Sequence, residues 1–225
     1  MRFNILFHHI SLLLIPALLL ILTSWKAPAT FAQSTQQEIE TKARKVFELQ
    51  KKNADAGKFS SNQDAAQYTD LLKTIAKGQS PEKARETTRL ASLVTKYRAE
   101  LDAFAKQGGL SLTTFKTSAD LDARIASLAK AKSTFAELLS VSDPLPGLLM
   151  EKKVLENLLA QLNFYKKHWG KWEAGPNGPL LDLPQTEVDY LNELILGLKD
   201  LKQQQLNRLK NVAKENLEML DDNKQ

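Results

Sequence analysis

The side chains best suited to chemistry lie together in one stretch, Phe164-Tyr165-Lys166-Lys167-His168-Trp169-Gly170-Lys171-Trp172. Aromatic rings alternate there with three lysines, and both tryptophans found beyond residue 32 belong to it. If a helix runs on through Gly170, then Tyr165, Trp169 and Trp172 share one face with Lys166, Lys167 and Lys171 around it, because residues three and four apart stack along a helix. Aromatic rings with a polar handle beside ammonium groups suit a glycan face, a lipid headgroup layer or a pocket on a partner protein. The competing reading is packing: a helix that ends at Gly170, with that glycine as its cap, lets the tryptophans plug the open end of a bundle. Packing is the preferred reading. It makes Trp169 a buried plug whose replacement by alanine costs about 3–5 kcal/mol, while Lys167→Glu leaves folding nearly untouched.

Other chemistry is poorly provided for. The chain has no cysteine, which removes thiol nucleophiles, iron–sulfur ligation, cysteine zinc sites and disulfide stapling. His168 is the one histidine beyond residue 32, so histidine-based triads, two-histidine zinc sites and paired Glu-x-x-His motifs are not expected. Met150 lies 18 residues before His168 on one predicted helix, about 27 Å along it, and cannot share a haem iron with it. Met219 could, but nothing else points to haem, and no cofactor or metal is expected. The acid pairs Glu187/Asp189, Glu215/Glu218 and Asp221/Asp222 read as solvated helix surface. No catalytic constellation emerges, and the chain reads as a non-enzyme.

The N-terminal stretch reads as an address. Arg2 provides a positive start, Ile10–Leu22 is apolar apart from Ser11 and Pro16, and Thr30-Phe31-Ala32 places small residues before a cut after Ala32. Residues 1–32 are therefore expected to be a signal peptide, with export to the periplasm or the medium and residues 33–225 forming one α-helical domain. The alternative is an uncleaved membrane anchor, against which Asn4, His8 and His9 argue. The full chain carries a net charge of +5. Residues 1–32 hold Arg2 and Lys26 and no acid, so 29 basic residues face 26 acidic ones beyond them, a net +3. Lysine and arginine interleave with acids along the helices instead of clustering, which argues against nucleic acid as a partner.

Apolar spacing and breakers predict an all-α fold: an elongated up-and-down bundle of about six helices with coiled-coil-like packing and a long C-terminal helix. The first helix, near Thr35–Asp55, stripes Ile39, Ala43, Val46, Phe47 and Ala54 and stops at Gly57. The second opens on the capping-box pattern Ser61-Asn62-Gln63-Asp64 and stripes Tyr68, Leu72 and Ile75. A cap at Ser80 with Pro81 starts the third, whose seam is Leu90, Val94, Tyr97, Leu101 and Phe104 before Gly108-Gly109. Leu110–Thr117 alternates like a strand but has no partner strand, so it is read as loop.

The fourth helix, Ser118–Val141, stripes Leu121, Ile125, Leu128, Phe135 and Leu139, and Asp143-Pro144-Leu145-Pro146-Gly147 makes a stiff corner after it. The fifth presents Leu148, Leu155, Leu158, Leu162, Tyr165 and Trp169, and a loop of breakers, Gly175-Pro176-Asn177-Gly178-Pro179, follows. The sixth, Gln185–Asp221, would span about 55 Å. Its seam runs through Leu191, Leu194, Leu198, Leu201, Gln205, Leu209, Val212, Asn216 and Met219, with Gln205 and Asn216 read as a helix edge where polarity is tolerated in preference to polar seam residues that fix register or partner number.

Long amphipathic helices without catalytic groups point to action by protein–protein contact, as a scaffold, assembly factor or chaperone-like holder, on another envelope or secreted protein. Leu194–Leu220 is the expected partner-facing arm. The rival expectation is a binding module for a glycan, a lipid headgroup or another small ligand, with Tyr165, Lys166, Lys167, Trp169, Lys171 and Trp172 as its surface.

Overall fold

The computed structural model describes residues 33–57, 62–141, 146–175 and 178–222. The expected signal peptide, the Ser61 cap and the corner at Asp143–Leu145 lie outside the described residues. Six helices carry the fold: α1 (Gln33–Asp55), α2 (Asn62–Lys77), α3 (Pro81–Lys106), α4 (Ser118–Ser140), α5 (Pro146–Lys167) and α6 (Gln185–Asp222). They form where apolar residues recur every three or four positions. In α1, Ile39, Ala43, Val46, Phe47 and Ala54 are all buried, and in α3 the whole seam from Leu90 to Phe104 is buried. No described helix is long and apolar enough to cross a membrane.

Consecutive helices run antiparallel, as short connections require. Thr69 and Thr95 hydroxyls meet between α2 and α3 at 3.4 Å, while Thr87 reaches back to Gln79 at 2.7 Å. Lys132 pairs with Glu156, and Lys166 with Asp122, between α4 and α5. The last helix lies along two others in turn. Its first half follows α5 through Glu187–His168, Leu194–Asn157 and Gln205–Glu151. Its second half follows α1 through Lys210–Asp55 and Asp221–Arg44. Residues from α1 to α6 join one apolar core, with Tyr68, Tyr97, Phe104 and Phe135 among its largest fully buried side chains.

Several local expectations are corrected. The inward face of α6, Leu191, Leu198, Gln205, Leu209, Val212 and Asn216, is buried on α5 and α1, so Leu194–Leu220 lies along the bundle, and Met219 is exposed instead of lying in the seam. Gln205 and Asn216 are no edge residues: both are buried, with Gln205 donating to Glu151 and Asn216 to the Val212 carbonyl. On α4 the inward line includes Arg124, while Ile125 and Leu139 are only partly buried. Ser80 occupies the N-cap of α3 without a side-chain hydrogen bond. A capping box that was not expected is at Thr117, whose hydroxyl accepts from the Asp120 amide while the Asp120 carboxylate accepts from the Thr117 amide at 2.6 Å. The Thr117 amide, together with the Lys116 amide at 2.8 Å, holds the Asp120 carboxyl below the usual carboxylate range. Leu112–Thr114 forms a single 3₁₀ turn, and the breaker-rich loop is flanked by strands β1 (Trp172–Gly175) and β2 (Gly178–Leu181). Their antiparallel register pairs Trp172 with Leu181 and Gly175 with Gly178.

In the first third of α6 the side-chain amides of Asn157 and Gln161 both donate to the Leu194 carbonyl, at 3.0 and 3.4 Å. Gly197 leaves Asn157 room there, yet a Cβ at this position would meet the Asn157 amide nitrogen at 3.6 Å, an ordinary contact. Gly197→Ala therefore gains helix propensity without a clash, and thermal melting should show a stabilisation of about 0.5–1 kcal/mol. A loss would mean that the Asn157 latch needs more space than this geometry gives it.

Candidate functional site

The aromatic and basic stretch sits where α5 ends, the hairpin folds back and α6 begins. The helix stops at Lys167. Backbone amides of His168, Trp169 and Lys171 then close on the carbonyls of Phe164, Lys166 and His168. Gly170 adopts a φ of +80°, the left-handed geometry that ends helices and favours glycine. The helix thus does not run through Gly170, and Trp172 belongs to β1.

The three rings nevertheless come together, through the turn instead of through a helix face. Trp172 lies edge-on to Tyr165 at 5.3 Å and to Trp169 at 5.4 Å between ring centres, and its indole N–H donates to the Tyr165 carbonyl at 2.9 Å. Phe115, just after the 3₁₀ turn, meets the far side of Trp172 at 6.3 Å. Tyr165 is buried, and burial pushes its phenol well above the usual range. Trp169 stays 37% exposed. The ring that closes this end is therefore Trp172, half-buried on Tyr165 and Phe115, and Trp169 packs against it with more of its surface open.

The loop beneath is fixed by Arg124. This side chain is 4% exposed. It donates to the Gly109 carbonyl at 2.6 Å and to the Thr114 hydroxyl at 3.3 Å, and its guanidinium carbon lies 5.0 Å from the Phe115 ring centre. Burial lowers the guanidinium's affinity for its proton, with the Asp120 charge opposing.

The lysines are distributed differently from the rings. Lys166 pairs with Asp122. Lys167 reaches Glu187 at 2.8 Å, and His168 Nε2 reaches the other oxygen of the same carboxylate at 3.3 Å. Glu187 is held below the ordinary carboxylate range, chiefly by the Lys167 hydrogen bond. Lys171 is exposed. His168 itself is buried against Phe164, 4.6 Å between ring centres, and Tyr190 of α6 lies on the same Phe164 at 6.2 Å. Two of the three lysines thus have an acid beside them, which leaves no strong positive field for an anionic surface. Among the described residues, no group of three or more histidines and acids could hold a metal ion.

No family model, curated protein or solved structure matches the chain.

Six large apolar side chains are exposed among the described residues: Leu149, Trp169, Leu180, Tyr190, Leu196 and Met219. Trp169, Leu180 and Tyr190 all belong to the hairpin end. Leu180 of β2 is 62% exposed and Tyr190 48%. Sequence reading missed both, because Leu180 sits in a segment taken for loop and Tyr190 falls off the α6 seam. Phe115, Arg124, Asp122 and Glu187 were missed as site members for another reason: they enter from distant stretches of chain. A groove of about 700 Å³ opens elsewhere, between α1 and the end of α6, lined by Gln37, Glu40, Arg44, Glu48 and Leu220 among others. All of its lining residues but Leu220 carry polar or charged side chains, and Arg44 is occupied by Asp221 at 2.7 Å.

Proposed function

We propose that this chain is a non-enzymatic, exported helical protein that acts by contact with another envelope or secreted protein, and that it docks through its hairpin end. The observation behind this is the grouping of Trp169, Leu180 and Tyr190 as exposed apolar residues at one end of a bundle whose seams are otherwise covered by its own helices. Aromatic residues with an apolar body and a polar tip are the side chains most enriched at protein contacts. The ion pairs Lys166–Asp122 and Lys167–Glu187 flank them, giving a mixed-charge rim of the kind that sets specificity more than affinity.

Site-specific photocrosslinking in the envelope tests the proposal. A crosslinking residue placed at Leu180 should yield a discrete protein adduct that the same residue at Leu149, exposed at the other end of α5, does not. Leu180→Asp in a second strand should abolish adducts formed from position 190. Identical adducts from positions 180 and 149, or none from 180, would sink it.

The second reading is a glycan or lipid-headgroup module. It is favoured only by the half-open ring of Trp169 and disfavoured by the acids paired with Lys166 and Lys167. Because Trp169 and Trp172 are the only tryptophans beyond residue 32, their fluorescence on adding peptidoglycan fragments or anionic vesicles discriminates: a saturable shift supports this module, and its absence leaves protein contact.

A further inference from the structure

The centre of the molecule holds a carboxyl that the docking proposal does not use. Glu151, in the second turn of α5, is 3% exposed. One of its oxygens accepts from the Tyr97 hydroxyl of α3 at 2.6 Å, and the other accepts from the Gln205 side-chain amide of α6 at 3.1 Å. Gln205 is 2% exposed. It stands at the point where α6 leaves α5 and begins to lie along α1, so one carboxyl ties three helices together at the handover. The charged groups facing it are Arg98 from α3, which is itself paired with Asp102 at 3.3 Å, and Lys202 from α6. Phe135 of α4 packs on Tyr97 at 5.2 Å and closes the site with an apolar wall.

From this arrangement we propose that Tyr97, Glu151 and Gln205 form a proton-operated clamp on α6, which tightens when Glu151 takes up a proton. Both states have a hydrogen-bonding solution. In the ionised state both carboxylate oxygens accept, as described. In the neutral state the carboxyl must donate once, and Gln205 supplies the acceptor: its Oε1 is buried and has no hydrogen-bond partner among the described residues. Rotation of the Gln205 amide by half a turn brings that oxygen to the carboxyl and converts the N–H···O contact into O–H···O. Which state is favoured follows from burial. Removal from water penalises the charged form, and this outweighs the Tyr97 and Gln205 hydrogen bonds and the charges of Arg98 and Lys202, so the carboxyl holds its proton more firmly than an exposed glutamate does. A group whose affinity for a proton is raised by folding adds stability at low pH and loses it as pH rises through its folded pKa. Ionisation of Glu151 therefore loosens the clamp, and the part of α6 affected is the half beyond residue 205 that α1 carries through Leu209, Val212, Ala213 and Asn216.

Asp55, Asp120 and Glu187 are shifted the other way and weaken the fold in acid, so the wild-type melting curve alone does not isolate the clamp. The difference from Glu151→Gln does. Glutamine is a permanently neutral stand-in, and its amide can accept from Tyr97 and donate to a rotated Gln205. At pH 8 the full chain carrying Glu151→Gln should melt higher than wild type by a few degrees, and hydrogen exchange over residues 206–222 should be slower while residues 185–197 are unchanged. The two proteins should converge as pH falls below 4.5, the ordinary glutamate value. Tyr97→Phe removes a donor that both states use but that binds the ionised carboxylate about twice as strongly as the neutral carboxyl, and should melt further below wild type at pH 8 than in acid. A Glu151→Gln difference independent of pH, or a Tyr97→Phe loss of equal size at both ends of the range, would overturn the clamp. Should Glu151→Gln fail to fold, the pH dependence of Tyr97→Phe decides alone.

Discussion

Trp172→Ala should cost about 3 kcal/mol and lower the melting temperature by about 6–12 °C, whereas Trp169→Ala should cost about 1 kcal/mol or less. The two rings are neighbours, but they do different work. Trp172 is wedged between Tyr165 and Phe115, and its N–H satisfies the Tyr165 carbonyl in the last turn of α5. Removing it leaves a cavity and an unpaired backbone acceptor at the same time, and each adds to the loss. Trp169 packs against Trp172 with more than a third of its surface open, so its removal uncovers one face of a ring and little else. Paired melts of the two variants check the assignment. If Trp169→Ala loses as much as Trp172→Ala, the outer ring is also structural, and the hairpin end loses its main exposed aromatic as a docking group.

Replacing Arg124 by methionine should cost about 2–3 kcal/mol, in spite of the similar apolar stem. The guanidinium spans two fixed partners, the Gly109 carbonyl and the Thr114 hydroxyl, and stacks over Phe115. A methionine fills the space and satisfies neither oxygen, so a buried carbonyl loses its donor. Lysine should not rescue it, because a single ammonium cannot reproduce the fork across both oxygens. The loop also carries bonds of its own, from the Ser111 amide to the Gly108 carbonyl at 2.9 Å and from the Thr114 hydroxyl to the Ser111 carbonyl at 2.6 Å. Gly108 at φ +107° lies so close to Thr114 that a Cβ there would meet the threonine methyl at 2.7 Å. Hydrogen exchange should still rise across residues 108–116 in Arg124→Met, with Phe115 loosened beneath Trp172. An unchanged melt with unchanged exchange would mean that the loop is held by its backbone alone.

These two side chains also mark how far the candidate site was legible beforehand. The cluster at 164–172 is visible in the sequence because it is a local concentration of rings and lysines, and its rings do meet. The way they meet was not visible. Stacking along a continuous helix requires Gly170 to be helical, and its positive φ turns the chain back instead. Trp172 then reaches Tyr165 by way of a strand that exists only because residues 178–181 pair with it. The partners of Lys166, Lys167 and His168 come from α4 and α6, and no spacing rule links residue 122 or 187 to residue 167.

Taken by itself, the sequence determined the six helices, their order and most of the inward faces, because those follow from interactions within four residues: apolar recurrence, breakers, and caps such as the legible but overlooked Thr117-x-x-Asp120. Antiparallel neighbours followed from short connections. Only the tertiary structure decided where the polar residues inside those faces go. Arg124 turns inward because the Gly109 carbonyl, 15 residues earlier, needs a donor, and Gln205 is interior because Glu151, 54 residues earlier, needs one too. Likewise the second half of α6 lies along α1, which returns from the other end of the chain to pack on it. An apolar side chain is buried wherever its helix face points, so periodicity suffices to place it. A buried polar group is stable only opposite a complementary group, and which group stands opposite is fixed by the packing of distant helices and by nothing in its own neighbourhood of the chain.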